Sequence, residues 1–432
     1  MKLSWSSRAE LKESRDARLR ELLVHAYERV PYYRKLFDRN RLHPRHVRGT
    51  VDLDLIPVTS KQELRGLRDK DILASGIDPA RLLTVRTSGS TGEPFTIRRT
   101  WVEDKRHYLL RLRAMRSMGL RLTDSRVAVG LVRPSSPNDR KLIGKALSSV
   151  GINRTFRIHG LQSPELIALQ LRQLRPAVIT GMPGMLCRVA DYIAASGAAA
   201  WRPRLLIVSG ETLTPVMQRR LTEVFDAPVR QTYASHEFPL LGWECSETGE
   251  LHTCDDGMIF EVLREDGRPA RSGEQGQVVA TNLNAHAMPF IRYRMGDLVT
   301  QGEECCACGK PFSTIRAIQG RTIDCFTLPD GRVLHPYQIL TSFIGGADTW
   351  IRQYQLLQER QDRIILRVIP VEPPLPEHVA RVEQSVRPLL GPGVEFRVQL
   401  VSDFSLEPSG KFRPLRSLVT STTDSLPVSA RA

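Results

Sequence analysis

Apolar residues Leu19, Leu22, Leu23, Ala26 and Val30 fall on one face of a 3.6-residue period, which predicts an amphipathic helix that opens the fold and is ended by Pro31. Tyr32 and Tyr33, just after the proline, read as packing aromatics. Residues 56–61 read as a loop feeding a short helix, 82–86 as a strand, 103–118 as a helix and 126–132 as a buried strand. The alternation continues with a helix capped by Ser163, a strand over 177–180, an apolar strand over 205–208 and a helix begun by Thr214 and Pro215. Short apolar strands alternating with helices predict parallel strands covered on both faces, with ligands bound beyond their carboxyl ends. From 258 to 300 the texture turns to β, with strands over 258–263, 277–281 and 291–293 and turns at 265–267 and 273–276. Strands near 353–357, 363–368 and 394–401 with a helix near 376–389 then form a small α+β unit, and the Ser-, Thr- and Pro-rich end reads as a flexible tail.

With 432 residues, 41% hydrophobic and 25% charged, the chain is globular and long enough for more than one domain. Sixty-two basic against 47 acidic residues give a net charge of +15, which favours anionic partners such as nucleotides, CoA, nucleic acid or acidic membrane surfaces. The basic residues are scattered singly and carry no interleaved aromatics, so a solvated basic surface is preferred to specific nucleic-acid binding. Residues 1–20 are too charged for a secretory signal, and no stretch approaches the roughly 18 apolar residues of a membrane span, so a soluble cytoplasmic protein is expected. Seven cysteines, an odd number, suggest reduced thiols or a metal site in place of a disulfide framework.

The strongest chemical signal is Thr87-Ser88-Gly89-Ser90-Thr91-Gly92-Glu93-Pro94, where glycines free the backbone to approach an anion and hydroxyls add donors. It lacks the spacing of a Walker loop and, taken alone, fits a surface turn equally well. Its neighbours tip the balance: Ser209-Gly210-Glu211, Tyr233-Ala234-Ser235-His236-Glu237, Arg292-Tyr293-Arg294-Met295-Gly296-Asp297, Gly320-Arg321 and Ser409-Gly410-Lys411 follow in order. Together these segments resemble the adenylate-forming (acyl-CoA synthetase-like) superfamily, most nearly its phenylacetate–CoA ligase branch, which includes CapK-like proteins of capsular polysaccharide biosynthesis. The start of the chain, 22–33 and 56–61, is also similar to that branch, so the likeness runs from about residue 19 to 411.

The resemblance implies an α/β fold: a large N-terminal adenylate-forming domain, 1–320, with parallel-rich sheets and a β subdomain, and a small mobile α+β C-terminal domain, 321–417, before the tail at 418–432. It implies that Thr87, Ser88, Gly89, Ser90, Thr91 and Gly92 cradle ATP phosphates and that Ser209, Gly210 and Glu211 lie on the same ligand edge. It further implies that Tyr233 stacks on adenine, Glu237 holds Mg²⁺, Asp297 accepts hydrogen bonds from the ribose and Arg321 contacts the nucleotide at the approach to a hinge near Ile323 or Asp324. Lys411 is the implied catalytic lysine, stabilising the charge that builds when a carboxylate attacks the α-phosphate. The sequence departs from the family at Ala234, where glycine is usual, and at His236, where a hydroxyl residue is usual.

The activity implied is ATP-dependent conversion of a carboxylic acid to an acyl-adenylate and its transfer to CoA. Transfer to another acceptor, as in deazaflavin-adenylylating or polysaccharide-assembling enzymes, is the alternative within the superfamily. A non-catalytic nucleotide- or nucleic-acid-binding protein on the same fold is the alternative outside it. Monomer and homodimer are equally compatible with the sequence. A structural Zn²⁺ on Cys245, His252, Cys306 and Cys308 is the last expectation, since close cysteines and a trailing glycine make a metal knuckle and the resembled branch carries a similar set. Cys305 or Cys254 could replace one of these ligands, and a set of plain reduced thiols is the competing reading.

Overall fold

A computed structural model describes residues 7–86, 95–130, 154–197, 201–321, 326–334, 336–343, 350–404 and 412–419. Ser7 caps α1 (Arg8–Arg29), and Val30 hands the chain to α2 (Pro31–Arg39). Pro31 was expected only to end a helix; it also starts one, because its fixed φ and missing N–H suit the first helical position. Leu19, Leu22, Leu23 and Ala26 of α1 are buried against Tyr33 and Phe37 of α2 and against Ile259 and Ile291 further along the chain.

Two short helices, α3 (Lys61–Arg65) and α4 (Asp69–Ile72), precede the antiparallel pair β1 (Leu83–Arg86) and β2 (Thr96–Arg99). Thr100 and Glu103 form a capping box that starts α5 (Trp101–Ser117). The expected alternation then unfolds as β3 (Arg126–Gly130), β4 (Thr155–His159), α6 (Pro164–Leu174), β5 (Val178–Gly181), α7 (Pro183–Ser196), β6 (Leu205–Ser209), α8 (Pro215–Phe225) and β7 (Val229–Tyr233). Strands β4, β3, β5, β6 and β7 are parallel neighbours in that order. Leu110 and Ala114 of α5 pack over Leu205 and Ile207 on one face, while α6, α7 and α8 cover Val127, Val129, Leu206 and Val208 on the other.

The β-rich part continues this sheet. Strands β8 (Gly242–Glu244), β9 (Leu251–Thr253), β10 (Met258–Leu263), β11 (Gln275–Asn282), β12 (Tyr293–Gln301) and β13 (Thr314–Arg321) extend it antiparallel in the order β7-β8-β9-β13-β12-β11-β10. The strand expected over 291–293 instead begins at Tyr293, because Arg292 turns the chain with φ 42° while its guanidinium pairs with Glu261 at 2.8 Å. The turn expected at 273–276 is shorter, since β11 already starts at Gln275.

A separate sheet follows the short β14 (Phe326–Thr327), β15 (Val333–Leu334) and α9 (Pro336–Phe343). It comprises β16 (Ile351–Arg360), β17 (Arg363–Pro370), β18 (Glu395–Leu400) and β19 (Leu415–Ser417) in the order β18-β17-β16-β19, with α10 (Pro376–Leu390) joining β17 to β18. Val382 and Val386 of α10 pack on Leu356, Ile364, Leu366 and Val368. Phe404, Phe412 and Ile369 leave this unit to join the core over α7 and α8, which sets the C-terminal unit against the carboxyl ends of the parallel strands.

Candidate active site

Polar groups from three regions meet at the end of β7. Tyr233 is its last residue, and the Tyr233 hydroxyl donates to Asp297 Oδ2 at 2.5 Å. Asp297 was expected in a turn after a strand; it lies inside β12, where Val279 faces Arg294 but Gln277 faces Leu298, so residues 295–297 bulge. Gly296 takes φ 76° in that bulge, a conformation an L side chain resists, and the bulge turns the Asp297 carboxylate toward Tyr233. Across the next strand Asp297 is the register partner of Arg321, so the structure brings these two expected nucleotide residues side by side in backbone terms.

Glu237 is buried to 8% exposure, with the Tyr293 hydroxyl 3.4 Å from Oε1 and Asn282 Nδ2 donating to its carbonyl at 3.0 Å. Arg99, at the end of β2, donates to the His236 carbonyl at 2.7 Å, so β2 is tied beside Glu237. Ser209 closes β6 and donates to the Thr232 carbonyl at 3.1 Å. Tyr233, expected as an adenine-stacking face, is only 7% exposed and stands edge-on to Phe260, so the feature it presents is its hydroxyl. Thr87, Ser88, Gly89, Ser90, Thr91, Gly92 and Lys411 lie outside the described residues.

Glu211, expected on the ligand edge, joins two parts of the chain. One carboxylate oxygen accepts from the Gly184 N–H at 2.8 Å, at the start of α7, and the other from the Phe412 N–H at 2.6 Å. The free N–H groups of a helix start favour a carboxylate, so the position suits the charge. Only glycine fits at 184: a Cβ there would stand 2.7 Å from Phe412 Cβ. Phe412 follows Lys411 directly, so this bond tethers the lysine segment to the large sheet.

Beside these groups a cavity of about 430 Å³ runs under α5 across the ends of the parallel strands. Ala128, Thr180, Ile207, Thr232 and Ala234 supply its sheet side, and Arg111, Met115 and Arg157 also line it. Size and apolar walls are those of a small-molecule pocket. Its signal in the sequence is a small or hydroxyl residue on each of four strands, Ala128, Thr180, Ser209 and Thr232, a pattern visible only once the strands are aligned.

The metal candidates converge as well. Cys245 follows β8, His252 lies in β9, and the loop bearing Cys306 and Cys308 returns as β13 beside His252, where Thr314 is its register partner. Their ligand atoms all lie within 4.8 Å of one another, with Cys306 Sγ 3.8 Å from Cys245 Sγ and Cys308 Sγ 3.6 Å from His252 Nε2. Tetrahedral zinc, with sulfur at about 2.3 Å and nitrogen at about 2.0 Å, places two sulfurs roughly 3.8 Å apart and a sulfur and a nitrogen roughly 3.5 Å apart. Burial, with Lys310 adding to it, lowers the His252 pKa to about 4, which leaves a neutral imidazole, the form that binds metal. Cys305 is exposed, and Cys254 points to Asp256 at 3.5 Å, so neither replaces a named ligand in this structure.

A doubly covered parallel sheet that runs on into antiparallel strands, with a small α+β unit tied to its ligand edge, is the fold shared by adenylate-forming CoA ligases. The chain superposes on 2-hydroxyisobutyryl-CoA ligase in the postadenylation state, in complex with R3-HIB-AMP, with a TM-score of 0.79 at 20% identity over 96% of this chain and 91% of that one. Against the same ligase in the thioesterification state, with 2-HIB-AMP and CoA, the TM-score is 0.66 at 20% identity over 96% and 91% of the two chains. In sequence it is 27% identical over 378 residues to the phenylacetate-coenzyme A ligase of Thermus thermophilus, spanning 85% of this chain and 83% of that protein. No family model matches the chain. The resemblance to the phenylacetate–CoA ligase branch is thereby borne out, and with it the α/β fold class. Among the described residues no helix is long and apolar enough to cross a membrane.

Proposed function

We propose that this chain activates a carboxylic acid with ATP to an acyl-adenylate and transfers the acyl group to CoA. The observation that carries the reading is the meeting of Tyr233, Asp297 and Glu237 beside an apolar cavity at the carboxyl ends of parallel strands, with the segment after Lys411 bonded to the same edge through Glu211. The acid enters the cavity with its carboxylate toward Ser209 and Ala234. Asp297, its carboxylate oriented by the Tyr233 hydroxyl, accepts from the ribose hydroxyls, and Thr87–Gly92 supply donors to the phosphates. A carboxylate oxygen attacks the α-phosphorus and pyrophosphate leaves, with Lys411 stabilising the developing negative charge. In the second step the CoA thiol gives up its proton to solvent, its sulfur attacks the acyl carbon and AMP departs with the bonding pair. Holding the two reactants in line supplies much of the acceleration, and a change in the placement of the C-terminal unit separates the steps. The higher TM-score to the postadenylation structure supports the reading that the unit is set here as in the first half-reaction.

Glu237 is a buried carboxylate beside a tyrosine hydroxyl, a hard oxygen donor that fits Mg²⁺, which would neutralise phosphate charge when bound. Cys245, His252, Cys306 and Cys308 fit a structural Zn²⁺ with no coordination position left for water. The working units are 1–320 and 321–417, with 418–432 as a tail, and a cytoplasmic location goes with the demand for ATP and CoA. The test is carboxylate-dependent ATP–pyrophosphate exchange over aryl and aliphatic acids, followed by thioester formation with CoA. Exchange with at least one acid is expected. Protein that binds ATP yet shows no exchange over a broad panel rules out adenylation, and exchange without thioester formation rules out CoA as acceptor.

A further inference from the structure

Three arginines gather at the end of the cavity toward the β4 edge, and among the described residues none of them has a carboxylate within ion-pair distance. Arg111 and Arg157 line the cavity itself. Arg157 lies beside Ala128 in the β3–β4 register, and Arg126, two residues before Ala128 on the same face, is held by Met115 Sδ at 3.1 Å and Thr155 Oγ1 at 3.0 Å. Other arginines of the large domain are matched: Arg113 pairs with Asp256, Arg230 with Glu244 at 2.8 Å and Arg220 with Asp191 at 2.9 Å. Asp104, the acid whose field reaches Arg111, stands 3.9 Å from Arg99.

Arg111 and Arg157 are exposed at the mouth of the cavity and Arg126 is half-buried, so water screens part of their mutual repulsion and an anion seated among them would relieve the rest. The more buried neighbours feel this charge. Burial lowers the Arg126 pKa, with Arg111 and Arg157 adding to the effect, and burial with Arg99 and Arg111 lowers His107 to about 3, which leaves it neutral. A fork of guanidinium groups at the end of an apolar slot is suited to a carboxylate, sulfonate or phosphate.

We propose that the acid activated here carries a second anionic group, bound by Arg111, Arg126 and Arg157 while the reacting carboxylate lies near Ser209 and Ala234. This rests on the adenylation reading above. Strands β4 and β7 are four steps apart in the sheet, about 19 Å at roughly 4.8 Å per step, and the arginine side chains shorten that span. A ring or a medium chain between two anionic ends fits the remaining length. A phosphate of ATP or CoA is the rival source of the same charge: Arg126 and Arg157 lie on the two outermost parallel strands, three and four steps from β7, whereas Arg111 stands within the field of Arg99 beside Glu237.

Matched pairs decide it: 4-carboxyphenylacetate against 4-methylphenylacetate, and suberate against octanoate, followed by pyrophosphate release with hydroxylamine trapping of the adenylate. The wild-type chain is expected to favour the dianion of a pair by about tenfold or more in kcat/KM, the range of a hydrogen bond to a charged group. Arg111→Gln with Arg157→Gln should reverse that preference and leave the KM for ATP in place, whereas Arg157→Lys should keep most of it. The Lys variant guards against misfolding of the double variant. Turnover of the monoanions alone overturns this inference and leaves adenylation standing. A rise in the KM for ATP or CoA in the variants also overturns it, by assigning the arginines to a phosphate. No turnover with any acid of either series overturns this inference, and exchange over the broad acid panel then decides the adenylation reading separately.

Discussion

Two sites share one sheet a few strands apart and are built on opposite plans. At the Cys/His cluster the ligand atoms come from a hairpin and one returning loop, Trp243 and Phe312 pack close against His252, and the spacings already match a tetrahedral ion. At the proposed nucleotide edge the groups come from β2, β6, β7 and β12 and from the segment at Phe412, and they bond to one another: Tyr233 to Asp297, Arg99 to the His236 carbonyl, Glu211 to Phe412. The first is a closed cluster, and the proposal that it holds zinc makes its ligand part of the fold. The second is an open site whose parts hold one another in position until substrates arrive. The contrast predicts that damage to the cluster appears as lost stability and damage to the edge appears as lost substrate affinity or rate.

The largest effect should come from Cys306→Ser with Cys308→Ser. Protein purified without chelator is expected to hold about one zinc per chain, and the double variant to lose it together with roughly 5 °C or more of Tm, since binding free energy in a structural zinc site is folding free energy. A metal-free, fully active preparation whose Tm ignores chelator would reduce the cluster to packed thiols and erase the contrast. At the edge, Asp297→Ala should weaken ATP by about tenfold to a hundredfold, the range for lost hydrogen bonds to a charged acceptor, with Tm nearly unchanged. Tyr233→Phe should act in the same direction but by less than about tenfold, because it removes only the hydroxyl that orients the carboxylate. ATP titrations with both variants measure this, and a Tyr233→Phe protein identical to wild type would return the residue to the role of an aromatic face.

What the sequence revealed follows from how local each signal is. The run Leu205-Leu206-Ile207-Val208 reads as a buried strand because both its faces are covered, and Ser163 and Thr214 announce their helices through caps a few residues long. Strand β4 escaped, since at the sheet edge only Ile158 of its five residues is buried, and three-residue β19 is defined by parallel pairing with distant β16. The nucleotide residues were named through family likeness, but their work was not legible. That Glu211 binds two backbone N–H groups 201 and 27 residues away, or that a bulge at Gly296 aims Asp297 at a tyrosine 64 residues earlier, has no trace in local pattern. The Cys/His cluster was readable because a tight knuckle and a short hairpin supply all four residues. Choosing them over Cys254 and Cys305 required the fold, which turns one inward to Asp256 and leaves the other exposed.

The central claim is a division of labour between two half-reactions at this edge, and Lys411→Ala tests it most directly. With an acid that supports exchange, the variant is assayed for adenylate formation and, separately, for thioester formation from supplied acyl-adenylate and CoA. The account predicts a loss of roughly a hundredfold or more in the first, the scale of removing one charge-stabilising group from a transition state, and little change in the second. Equal loss in both half-reactions, or none in the first, would contradict it.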